Sequence, residues 1–266
     1  MFQIFAMASP LDASHKDSTG QTALQTAASR GDAESVQLLL DDESVDVNQS
    51  DKTGFTALMY AAGYGHEKVT GLLLADERVD LNHIDKFGLT ALMYAAHEGH
   101  EKVVDLLLAD LRVAVNSVND NENSALRYAV YKGHEKIVRL FLADERVKVN
   151  YCNSSSLTDL LCAAAEGHQK IVELLVADPR VDVNSRGSVG TTALICAVRT
   201  RQEKVMEVLL TDPRVEVNSV DDVGWSALHY AVGVDHAGMV RKLLNHPSIN
   251  LDATNMEGES PEELAR

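Results

Sequence analysis

The sequence is short of several things at once. Its 266 residues hold 3 Cys, 5 Pro and 1 Trp, and aromatic residues make up only 5%. Three cysteines cannot all pair within one chain, which excludes a secreted disulfide framework. So few prolines, with 16 glycines, exclude collagen-like and proline-rich segments. Positive charge is the minority: 24 Lys and Arg against 40 Asp and Glu leave a formal charge of −16. A chain this acidic has no general affinity for nucleic acid or an anionic membrane, because a phosphate-binding surface needs local positive charge. No run approaches the roughly 18 apolar residues that span a bilayer, so no membrane insertion is expected. The opening stretch MFQIFAMASPLD is apolar but lacks the basic flank of a signal peptide. Asn48 and Asn153 begin glycosylation sequons, which matter only in a secreted chain. The expectation is an intracellular, cytoplasmic protein.

What the chain does have is 45% hydrophobic residues, enough for a substantial core, and a strict internal period. Asn48, Asn82, Asn116, Asn150, Asn184 and Asn218 lie 34 residues apart, with Asp252 in the next slot. Ala27, Ala61, Ala95, Ala129, Ala163, Ala197, Ala231 and Ala265 keep the same phase. Chance does not hold eight alanines in register, and self-similarity at this length marks a stacked repeat.

Residues 51–82 show one unit. Thr56 caps a short helix through Leu58, Ala61 and Ala62, Gly65 and His66 interrupt it, and Val69, Leu72, Leu73 and Leu74 form a second apolar face. Neither helix is long enough to stand alone, so each must be held by its neighbours. Val79 and Leu81 suggest extended backbone, and Asp51-Lys52-Thr53-Gly54 fits a type I turn with Asp first and Gly fourth. The predicted unit is a projecting hairpin followed by two antiparallel helices. Seven such units cover residues 14–252. Residues 1–13 read as a partial N-terminal repeat, with Ile4, Phe5 and Leu11 in phase with Leu38, Leu39 and Val45. Residues 253–266 read as a partial repeat whose Ser260-Pro261-Glu262-Glu263 starts a capping helix.

These residues resemble the ankyrin repeat family, most closely in TALMYAAGYGHEKV from Thr56, TALMYAAHEGHEKV from Thr90 and SALHYA from Ser226. The resemblance implies an all-α repeat solenoid, each unit a helix-turn-helix with a projecting β-hairpin loop. Departures are visible. Ala57 and Ala91 replace the family proline, and Met59 and Met93 replace the motif histidine. Glu122 and Ser156 take the hairpin glycine position, and Arg201 and Asp235 take the inter-helix glycine position. Asp159, at the position of Ala57, fits the first turn of a helix without having to be buried.

The resemblance also implies a concave binding surface made from the hairpin tip, the residue after its glycine, and the exposed end of the first helix. Carried over, these positions are Lys52, Phe55 and Tyr64 in the second unit, and Lys86, Phe87, Leu89 and His97 in the third. They are Tyr131 and Lys132 in the fourth unit, Leu157 in the fifth, Val189 and Arg199 in the sixth, and Val223 and Trp225 in the seventh. Aromatic anchors in polar surroundings are the usual source of interface energy, so a protein or extended peptide is the expected partner. Tyr60, Tyr94, Tyr128 and Tyr230 form a ladder, broken by Cys162 and Cys196, that either packs or turns its hydroxyl edge to the groove. Arg78, Arg112, Arg146, Arg180 and Arg214, each two residues after an aspartate, read as a solvated and partly neutralised edge. The repeated histidines are spread one to a unit, which suits local hydrogen bonding better than a zinc site.

No phosphate loop, zinc-protease helix or nucleophile elbow occurs, so no cofactor and no catalysis are expected. The expected function is a non-catalytic protein–protein interaction scaffold. The alternatives are the recognition region of a larger enzyme or multidomain assembly, suggested by boundaries that cut through repeat units, and a structural spacer.

Overall fold

The structure is a computed structural model that describes residues 16–17 and 20–265. Residues 1–13, read above as a partial first repeat, lie outside the described residues. The chain divides into two compact units, residues 1–128 and 129–266, with the division inside one helix. The first unit holds α1 (Ala23–Arg30), α2 (Ala33–Leu40), α3 (Ala57–Gly63), α4 (Glu67–Ala75), α5 (Ala91–Glu98), α6 (Glu101–Ala109) and the start of α7 (Ala125–Lys132). The second holds the rest of α7, then α8 (Glu135–Ala143), α9 (Asp159–Glu166), α10 (Gln169–Ala177), α11 (Ala193–Arg199), α12 (Glu203–Thr211), α13 (Ala227–Gly233), α14 (Ala237–Leu244) and α15 (Pro261–Leu264).

Hydroxyl caps start the first helix of each pair. Thr56, Thr90, Thr158 and Thr192 each accept a hydrogen bond from the backbone N–H three residues on, as does Ser226. Each cap contributes about 1 kcal/mol. First helices pack on first helices, α1 on α3 on α5 and α9 on α11 on α13, and second helices follow suit as α2–α4–α6 and α8–α10–α12–α14. Ala61, Ala95, Ala163 and Ala197 are completely buried on those contacts, where any larger side chain would hold the helices apart. Leu73, Leu107, Leu175 and Leu209 fill the layer behind them, each burial worth about 2 kcal/mol. Ser260 caps α15 in a reciprocal box with Glu263, Pro261 is its first residue, and the helix packs on α13.

Among the described residues the expected β-hairpin loops are absent. Among the described residues the only strand-like pairings are two isolated bridges, Val118 with Ser124 and Val220 with Ser226. A carboxylate takes the place of the ladder. Asp51 Oδ1 accepts from the N–H of Thr53 (2.8 Å) and of Phe55 (3.0 Å), while the Asp51 N–H reaches Phe55 O at 3.0 Å. Gly54 N–H closes the four-residue turn on Asp51 O at 3.1 Å. With one backbone pair and two donors held by a side chain, the segment is complete as a turn and leaves no strand to pair. Val79 and Leu81 are likewise buried in turns, not extended backbone, because Val79 N–H folds back onto Asp76 O.

The periodic polar residues join one repeat to the next. Asn82 Nδ2 donates to Arg112 O (2.9 Å) and its Oδ1 accepts from Ala114 N (2.7 Å); Asn48, Asn150, Asn184 and Asn218 make the same pair of bonds. The arginine ladder is also structural. Arg78, Arg112, Arg180 and Arg214 bind Asp76, Asp110, Asp178 and Asp212 and reach back to Leu40 O, Leu74 O, Leu142 O and Val176 O. Those carbonyls end the preceding second helices, where a cation is favoured. The solvated edge expected from sequence is therefore an inter-repeat staple. The guanidinium bonds hold Asp76, Asp178 and Asp212 below the usual carboxylate range.

Histidines work in the same direction. His66, His100 and His168 place Nε2 at 3.0, 2.9 and 3.1 Å from Ser29 O, Gly63 O and Tyr131 O of the repeat before. Each ring lies against an inter-helix glycine with positive φ: Gly31 (70°), Gly65 (74°) and Gly133 (76°). Arg201 and Asp235 adopt that backbone without glycine, at φ 60° and 52°. Arg201 then donates to Val234 O (2.6 Å), and His236 turns to cap its own helix at Met239 N. Asp159 is in the first turn of α9, yet it is 1% exposed, because repeat packing covers the first-helix start whatever residue stands there.

Candidate functional site

Each tip turn is braced from behind by a tyrosine nine residues along the chain. Tyr60, Tyr94 and Tyr230 donate from Oη to Oδ2 of Asp51, Asp85 and Asp221, all at 2.6 Å. In the fourth repeat the polarity reverses, Asn119 Nδ2 donating to Tyr128 Oη at 2.8 Å. The tyrosine ladder thus packs against the alanine helices and spends its hydroxyl on the tip aspartate. Burial and the bond to Asp51 push the Tyr60 hydroxyl up to about 12, and Tyr94 and Tyr230 are raised for the same reasons. Burial on its own would raise Asp51, but hydrogen bonds from Thr53 and Tyr60 hold its carboxyl below the ordinary range. Successive tips are joined by single backbone bonds, Lys86 N to Thr53 O and Asp120 N to Phe87 O in the first unit. Asp222 N to Val189 O and Met256 N to Val223 O do the same in the second.

The fifth and sixth repeats lose this brace in both halves. Cys162 and Cys196 replace the tyrosine, and Asn153 and Gly187 replace the aspartate. Asn153 Oδ1 still gathers Ser155 N and Leu157 N, whereas Gly187 has no side chain to do so. Ser156 and Val189 sit there at φ 53° and 55°, and for β-branched Val189 that conformation is strained.

The candidate residues fall evenly between the units. In the first, Phe55 is half-buried between Tyr60 (centroids 5.2 Å) and Tyr94 (4.8 Å), and Leu89 is half-buried one tip further on. Tyr64 is exposed and stacks on Tyr60 at 6.3 Å. His97 meets Tyr128 edge-on at 5.4 Å with Nδ1 2.7 Å from Glu98. Phe87 is 62% exposed at its tip beside exposed Lys86, and Lys52 is exposed on the tip before.

In the second unit Tyr131 is exposed with Lys132 Nζ 5.7 Å over its ring, and Leu157 is half-buried. Val189, 61% exposed, and Val223 occupy successive tips. Trp225 is half-buried against Tyr230 (5.0 Å) and lies across Gly233, where an added Cβ would come within 3.0 Å of the indole. Arg199 is exposed at the end of α11. Phe55, Leu89, Leu157 and Trp225 are therefore partly structural, while Tyr64, Phe87, Tyr131, Val189 and Val223 present apolar surface to solvent. Sequence reasoning missed exposed Ile84 and Met256, which flank the tips at Phe87 and Val223.

The surface is open. A cleft of about 840 Å³ lies between the loops after α12 and α14 at Pro213 and Pro247, and no tip residue lines it. Among the described residues no group of three or more His, Cys, Asp or Glu is placed to hold a metal ion, and no helix is long and apolar enough to cross a membrane. Cys152, Cys162 and Cys196 form no disulfide among the described residues; the last two are buried, and burial raises the Cys196 thiol.

Comparison with known proteins agrees with the architecture. The family described as ankyrin repeats (3 copies) matches residues 1–85, 68–153 and 145–221, and that described as ankyrin repeat matches residues 223–256. No curated protein matches the chain. Nearly the whole length is thus accounted for by one repeat type, stapled repeat to repeat by Asn, Arg and His, and the chain belongs to the ankyrin repeat family, a non-catalytic module with a general role in protein–protein interaction.

Proposed function

We propose that the protein is a scaffold that binds a protein or extended peptide on the face formed by its turn tips and first-helix ends, the face expected to be concave. The observation that carries this reading is the exposure of Phe87 in the first unit and of Val189 and Val223 in the second, each on a tip bonded through its backbone to the tip that follows it. Large apolar side chains on well-anchored loops are a costly surface to leave in water, and such positions supply interface hot spots. At Phe87 and Val223 the braced aspartate turns keep the tips ordered before binding, which reduces the entropy lost on association. The cytoplasmic location belongs to the same proposal, since cysteines without disulfides suit a reducing compartment.

The test is a combined Phe87→Ala and Trp225→Ala substitution, measured against a partner obtained by proximity capture in the native cell. Loss of two anchors should weaken binding by about 30-fold or more while helical circular dichroism is nearly unchanged. Unaltered affinity would remove those anchors from the proposal.

A further inference from the structure

The last helix pair, α13 and α14, lacks the arginine staple. Arg78, Arg112 and Arg180 place Nη2 on Leu40 O, Leu74 O and Leu142 O at 2.6, 2.6 and 2.7 Å, and Arg214 places its own on Val176 O. Arg214 Nη1 also reaches Val181 O at 3.4 Å. One period after Arg214 stands Ser248, and His246 takes the position of its partner Asp212. His246 keeps part of the aspartate's work, its Nδ1 accepting from Ser248 N at 3.3 Å. A serine side chain is too short to reach back to the end of α12.

The cleft of about 840 Å³ lies at that place. Leu210 and Val215 line it together with Ser248, and they are the counterparts of Val176 and Val181, whose carbonyls Arg214 binds. Burial follows the arginines. Val45, Val79, Val147 and Val181, each 33 residues before a stapling arginine, are buried, whereas Val215, 33 before Ser248, is half-buried. Leu210 O belongs to the last turn of α12, where carbonyls lack helical donors and a cation is favoured. Pro213 has no N–H to offer it, and the Arg214 N–H goes to Asp212 Oδ1 at 2.8 Å. Asp212 and exposed Glu216 also line the cleft, and no Lys or Arg does.

We propose that this cleft takes an arginine side chain of a protein or peptide partner, its guanidinium on Leu210 O and Val215 O and its stem along Val215. The planar fork of five N–H donors suits two carbonyls at once, which a lysine ammonium matches less well. The partner thus supplies the group that the chain itself supplies in its earlier repeats. The site shares no residue with the turn tips and stands independently of binding there.

The test is an NMR titration of the nitrogen-15-labelled full chain with the N-acetyl methylamides of arginine, lysine and citrulline, the last keeping the shape of arginine without its charge. Arginine should shift the amides of Val215, Glu216 and Ser248, with half-saturation about fivefold or more below that of lysine, and citrulline should leave them in place. Equal responses to the three compounds, or shifts confined to other residues, overturn the proposal. In the His246→Asp, Ser248→Arg chain the cleft should fill from within, so that the arginine response disappears and the thermal midpoint rises by about 2 °C or more. A response that persists, or a lower midpoint, overturns it. Random 12-residue phage-displayed peptides, selected on the full chain and counter-selected on that double variant, should contain arginine and bind about tenfold or more tighter than the blocked amino acid. Peptides without arginine enrichment overturn the assignment. If the blocked amino acid binds as tightly as any peptide, the cleft serves a free guanidinium compound and the macromolecular partner is overturned.

Discussion

Replacing Gly65 by alanine tests how one repeat is locked onto the next. Gly65 has φ 74°, and a Cβ added there would lie 2.5 Å from His100 Nδ1 and 2.7 Å from Cε1. Holding an L-residue in the left-handed region costs about 1–2 kcal/mol. Displacing the imidazole from Gly63 O forfeits a further ~1 kcal/mol. Gly65→Ala should therefore destabilise the first unit by about 2–3 kcal/mol. His100→Ala alone loses the bond and some packing, about 1–2 kcal/mol. In the double variant the bond is lost once and the clash has nothing to strike, so the total should fall short of the sum by about 1 kcal/mol. Urea denaturation gives the three values, and hydrogen exchange at the α3 and α4 amides localises them. Additivity within about 0.5 kcal/mol would show that the glycine and histidine do not act on each other. The chain holds its own version of the experiment: with Arg201 in the glycine position, His236 has turned away to cap α14.

Two further outcomes follow from the tip brace and the staples. Tyr94→Phe leaves buried Asp85 with its two backbone donors but no partner for Oδ2, and should cost about 1.5–3 kcal/mol with faster exchange at Phe87 and Leu89 amides. A change below about 0.5 kcal/mol in the urea midpoint would mean that water replaces the hydroxyl without loss. Stability should also fall on acidification. Asp51, Asp76, Asp178 and Asp212 titrate lower in the folded chain, so the unfolded chain takes up protons first, near pH ~4. Their contribution is whole above that value and is lost as pH drops through the folded values. For Tyr60, raised to about 12, the contribution is whole below the ordinary tyrosine range and is lost as pH rises through the folded value. Thermal midpoints measured from neutrality downward should decline below pH ~4, and a rise there would contradict these shifts.

The repeat was legible because helix faces and caps are local. The alanine phase, the Thr56-type caps and the Gly65–His66 break are each read from a few adjacent residues, and the helices start and stop where those signals stand. The candidate surface was legible only in part. Exposure of Phe87 and burial of Phe55 differ because Phe55 lies between two tyrosines, one of them a repeat away, and neither ring is visible in the turn sequence. The Asp–Tyr brace had a signal, a nine-residue spacing lost in both members at the fifth and sixth repeats, but only contact shows that the two side chains meet.

The sequence by itself determined the period, the helix pairs and the lack of catalytic motifs. Only the tertiary structure decided what the periodic polar residues do. When Asn, Arg and His each recur at 34, periodicity cannot separate a contact within a repeat from one between repeats. Asn82 reaches residues 112 and 114, Arg112 reaches back to residue 74, and His100 reaches back to residue 63. Those bonds exist because stacking brings distant chain segments within hydrogen-bond range, and they turn an apparent charged edge into the fastening between repeats. The same physics removed the expected hairpins, since a carboxylate that gathers the turn's own donors leaves no ladder to form.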